Sequence, residues 1–69
     1  MAEKATLELA RERRHVLEAE EHVRAQRELI RRLEGHGVDT GLARHVLATF
    51  EESLRLARED LKQREREGG

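Results

Sequence analysis

Apolar residues recur at heptad spacing in two separate stretches of the chain. In the first, Leu9, Val16, Val23 and Ile30 stand seven apart, and three residues after each come Glu12, Ala19, Gln26 and Leu33. In the second, Ala43, Leu47, Phe50, Leu54, Ala57 and Leu61 follow one another at alternating steps of four and three. Such a repeat marks an apolar seam of the coiled-coil kind. It predicts one helix from about Glu3 to Glu34 and a second from about Thr40 to Arg66. No proline interrupts either stretch, and Glu, Arg, Leu and Ala, all strong helix formers, fill most positions.

The break between them reads Gly-His-Gly-Val-Asp-Thr-Gly, from Gly35 to Gly41, and predicts a turn at 35–40. Gly37 suits the left-handed position that ends a helix; Val38 and Leu33 then occupy the two apolar positions of a Schellman motif. Asp39 or Thr40 caps the second helix. With Asp39 as the cap, Val38 and Ala43 form a weak hydrophobic staple. So short a turn forces the helices to lie antiparallel.

Folding the chain there tests the two seams against each other. Facing residues keep a nearly constant sum of residue numbers: Leu33 meets Ala43, Ile30 meets Leu47, Gln26 meets Phe50, Val23 meets Leu54, Ala19 meets Ala57 and Val16 meets Leu61. The next pair outward is Glu12 with Arg64, of opposite charge. The fold class expected is all-α, a single antiparallel helical hairpin with coiled-coil-like packing, spanning residues 1–69. Gln26 beside Phe50 is the one polar intrusion.

Two helices sharing one seam cannot enclose a core. Leu29 and Val46 flank the seam, and Leu17, Leu42 and Leu56 lie further round, which widens the apolar surface. The simplest closure is a two-fold homodimer forming a four-helix bundle. The interface residues expected are Leu9, Val16, Leu17, Val23, Leu29, Ile30, Val46, Phe50, Leu54 and Leu56.

Composition narrows the partners. The 69 residues carry 14 basic and 15 acidic side chains, a net charge of −1 with both signs interspersed. Nucleic-acid binders concentrate basic charge on one face. Here Arg24, Arg27, Arg31 and Arg32 interleave with Glu20, Glu21, Glu28 and Glu34, in pairs such as Glu20–Arg24, Glu28–Arg32 and Glu51–Arg55. With no Trp or Tyr and a single Phe, base stacking is unsupported. Nucleic acid is not the expected partner. No apolar run is long enough to span a membrane, and Met1–Ala10 does not read as a secretory signal, so a cytoplasmic location is expected. The absence of Cys removes disulfides and thiolate metal sites.

Histidine is the one chemical handle. His15 and His22 share a face with Glu18 between them, and Glu12 to His15 has the Glu-x-x-His spacing of di-iron bundles. Glu12, His15 and His22 are therefore the candidate ligands of an iron or zinc centre. A di-iron site also needs carboxylates inside the seam of the other helices, and Glu51, Glu52, Glu59 and Asp60 lie outside it. His36 in the turn and His45 on the outer face read as solvated residues. The single Ser53 has no evident base or acid partner, and no phosphate-cradling or nucleophile motif occurs. No catalysis and no cofactor are expected.

Residues His22, Val23, Gln26, Ile30, Leu33, Gly37, Asp39, Thr40, Ala43, Leu47, Thr49, Phe50, Glu51 and Leu54 together resemble a group of short, uncharacterised helical-hairpin proteins of alphaproteobacteria. The likeness covers about half the chain. Val46 stands where that group often has Leu, and Ser53 where Thr is usual. The resemblance implies a bacterial, cytosolic origin and no mechanism. The functional expectation is a small non-catalytic scaffold or regulatory module acting through helix–helix packing, with metal binding as the alternative.

Overall fold

The computed structural model describes residues 2–68. They form two α-helices and one turn: α1, Ala2–Gly35, and α2, Gly41–Gly68. The helices pack against each other along a body measuring 54 × 14 × 12 Å. At 1.5 Å per residue, the 34 residues of α1 account for that length.

The turn is built as the glycine pattern predicts. Gly37 has φ +69°, a left-handed conformation that costs an L side chain energy. The Val38 amide donates to the Leu33 carbonyl (3.0 Å), and the Gly37 amide donates to Glu34 (3.1 Å). These are the two hydrogen bonds of a Schellman motif, and they satisfy carbonyls that the end of α1 leaves free.

The start of α2 divides the capping role between two residues. The Thr40 carbonyl accepts the first helical bond, from the Arg44 amide (2.8 Å), which makes Thr40 the N-cap. The Asp39 carboxylate accepts from the Gly41 amide (3.1 Å). Thr40 Oγ1 accepts from Arg44 Nε (3.0 Å). Because the cap is Thr40, the staple positions fall on Asp39 and Arg44, so the Val38–Ala43 staple is not formed in the predicted register. Gly35 and Gly41 are helical, and among the described residues only residues 36–40 lie outside the helices.

The seam holds the hairpin together. Val16, Ala19, Val23, Leu54 and Ala57 form one buried cluster, with Leu47, Phe50 and Leu61 half-buried against it. The Ala19–Ala57 layer is among the most enclosed, with Ala57 only 2% exposed. Small side chains there let the backbones approach. Gln26 interrupts the apolar seam, and its side-chain amide donates to the Ala43 carbonyl across the hairpin (2.9 Å). Ile30, 5% exposed, lies beyond Gln26 toward the turn. Among the described residues no buried side-chain polar atom lacks a partner.

Candidate protein–protein interface

Two flanks border the seam, and they differ in chemistry. The first consists of residues one step after a seam position: Arg13, Glu20, Arg27 and Glu34 on α1, and Arg44, Glu51, Arg58 and Glu65 on α2. Charge alternates along each helix at intervals of seven. Every rung pairs opposite signs across the hairpin: Arg13–Glu65 at 3.7 Å, Glu20–Arg58 at 3.1 Å, Arg27–Glu51 at 3.0 Å and Glu34–Arg44 at 2.5 Å.

This ladder replaces the intrahelical pairing read from the sequence. Glu20 and Glu51 reach across to the other helix. Arg24 pairs with Glu21, and Arg31 pairs with Glu28. Arg55 sits between Glu52 and Glu59. The Arg55 guanidinium, through its hydrogen bond and charge, holds the Glu52 carboxyl below the usual carboxylate range. Arg24, Arg27 and Arg31, three of the four residues of the basic patch, are thus neutralised locally. The outward pair Glu12–Arg64 is displaced by one turn, because Arg64 donates instead to Glu8 (2.9 Å).

The opposite flank lies one step before the seam: Glu8, His15, His22 and Leu29 on α1, and Val46, Ser53, Asp60 and Glu67 on α2. Its centre is neutral. From Leu42 to Leu56, the side of α2 on this flank presents Leu42, Val46, Thr49, Phe50, Ser53 and Leu56, none of them ionisable. The His22 imidazole lies against the Phe50 ring, with centroids 5.4 Å apart and planes tilted by 34°. Leu29, Leu42 and Leu56 remain 42%, 78% and 48% exposed.

The expected interface residues therefore separate into groups. Val16, Val23, Ile30 and Leu54 are buried within the hairpin itself. Leu9, Val46 and Phe50 are half-buried. Leu29 and Leu56 are exposed on the neutral flank. Leu17, 64% exposed, lies on the ladder side, beside Arg13, Glu20 and Arg24 in helical spacing.

The candidate metal ligands also separate. His15, Glu18 and His22 line a shallow groove with Ala19, Phe50 and Ser53. Glu12 lines a different groove, with Asp60, Gln63, Arg64 and Glu67. Among the described residues, no group of three or more His, Asp or Glu side chains gathers closely enough to hold a metal ion. Ser53, which has no evident partner in the sequence, shares its groove with two imidazoles, but it makes no hydrogen bond to either among the described residues. Among those residues, too, no helix is long and apolar enough to cross a membrane.

No protein-family model matches the chain, and no significant match was found among curated proteins or solved structures.

Proposed function

We propose that the hairpin is a small non-catalytic interaction module that works through helix–helix packing, and that its first partner is a second copy of itself, giving a four-helix bundle. The observation that carries this reading is the contrast between the flanks. One is closed by charge pairs within the molecule; the other exposes, along α2 from Leu42 to Leu56, a partly apolar strip without ionisable side chains.

The dimensions support the same conclusion. The radius of gyration is 15.9 Å, against about 11 Å for a compact chain of this length. The accessible surface is 5628 Å², whereas a compact monomer of the same mass exposes about 4,500 Å². The excess exceeds the roughly 800 Å² that each partner contributes to a standard interface. Among the described residues no large side chain reaches full burial, so they do not form the core on which a small domain relies without disulfides or metals.

Sedimentation analysis and urea unfolding over a hundredfold range of concentration test the proposal. A dimer at micromolar concentration whose unfolding midpoint rises with concentration supports it. A monomer that unfolds cooperatively at one midpoint throughout that range overturns it.

A further inference from the structure

Building on this self-association, we propose that the two-fold axis of the dimer runs parallel to the helices. The neutral flanks then face each other, both turns lie at the same end, and α1 of one copy packs on α2 of its partner.

Two hairpins stacked face to face admit a two-fold axis either along the helices or across them. The distribution of side chains on the neutral flank distinguishes the two. Its turn half is mostly apolar: Ala25 and Leu29 on α1, with Leu42, Val46 and Phe50 on α2, and Arg32 is the cation beside Leu29 at its rim. Its open half is charged: Glu8, Arg11 and Glu18 on α1, with Asp60 and Glu67 on α2. An axis across the helices would lay the leucines of one copy on the ionised groups of the other, stripping water from charges that gain no partner. An axis along the helices keeps like with like. Leu29 comes level with the partner's Val46, and His22 with the partner's Ser53. The exposed Leu42 and Leu56 are drawn toward the joint. At the open end, Glu8 comes level with the partner's Glu67, where Arg64 already neutralises Glu8. The ladder flanks face outward, and their pairs are already complete within each copy.

Two measurements on the full chain test this geometry. A single nitroxide at His36→Cys, in the exposed turn, reads the separation of the two turns by pulsed electron resonance. Turns at the same end lie within about 30 Å, given helix spacings of 8–10 Å. Turns at opposite ends lie apart by roughly the 54 Å length of the hairpin, and that distance would overturn the axis while leaving self-association intact. Leu56→Glu and Leu17→Glu locate the face, since both leucines are exposed and neither supports the seam. Conversion to monomer by Leu56→Glu at least tenfold more readily than by Leu17→Glu is the expected result. The reverse order overturns the choice of face. An unlabelled chain that is monomeric at every concentration overturns the self-association on which this arrangement rests.

Discussion

Arg27 lies opposite Glu51, 3.0 Å away across the hairpin, and would lie opposite Arg44 if either helix slid by one heptad. The same slip would set Arg13 against Arg58 and Glu20 against Glu51. An apolar seam repeating every seven residues does not by itself distinguish registers seven apart. Alternating charge on the flank does, because a slip of one heptad in either direction places like charges together.

The ladder should therefore act more on register than on total stability. Each rung is solvent-exposed, and such pairs contribute about 0.2–1 kcal/mol. Arg27→Glu should lower stability by about 1 kcal/mol or less, and the double exchange Arg27→Glu with Glu51→Arg should restore most of it. Urea unfolding of the four-member cycle measures the coupling. Repeating it in 1 M salt should shrink the coupling toward zero, since screening acts strongly on exposed pairs.

Gln26 makes the complementary prediction. Its amide donates to the Ala43 carbonyl from within an otherwise apolar seam. Gln26→Leu should raise stability by on the order of 1 kcal/mol through added apolar burial. It should also loosen partner choice, because a lone polar seam residue specifies alignment at a cost in stability. Native mass spectrometry should then show mixed assembly states where the parent chain shows one.

The turn gives a local test. A side chain at Gly37 would meet nothing within 4 Å, so crowding is not an issue there. The positive φ alone should make Gly37→Ala cost about 1–2 kcal/mol, seen as a lower thermal midpoint. Gly35 is helical with equally open space, so Gly35→Ala should stabilise the chain slightly by the same measurement.

Acid titration should single out Glu52. Arg55 lowers its carboxyl below the ordinary range, so the pair's stabilisation is fully present above the ordinary carboxylate value and is lost as pH falls through the lowered one. Both groups are fully exposed, so the effect on unfolding should be small. The Glu52 carboxyl resonance should nevertheless titrate below the ordinary carboxylate range, and Arg55→Gln should return it to that range.

Periodicity made much of this legible beforehand. The two helices, the Gly37 turn and the burial of Val16, Ala19, Val23, Ile30, Leu54 and Ala57 all follow from spacing, because backbone geometry fixes which residues share a face. The ladder was legible too, but only after the seam had been assigned and the residues beside it read in order. Local spacing favoured Glu20–Arg24 and Glu51–Arg55, whereas the neighbouring helix supplied better-placed partners. The contact between His22 and Phe50 was not legible from pairing arithmetic, which set Phe50 against Gln26. It depends on how an aromatic side chain leans from its backbone. The division of the leucines between the flanks emerged only with the ladder, which gave the two sides of the hairpin their different characters.

Nothing in the rungs between Arg13–Glu65 and Glu34–Arg44 requires the two helices to belong to one molecule. The Schellman bonds at Leu33 and Glu34, with the cap at Thr40, are what reverse the chain and keep the pairing internal. Remove residues 36–40 so that the helices run on as one continuous rod, and each rod must satisfy its rungs on a neighbour instead. The five-residue turn would thus be the hinge of any domain exchange, separating a closed hairpin from a swapped assembly that would use the same seam and the same charge pairs.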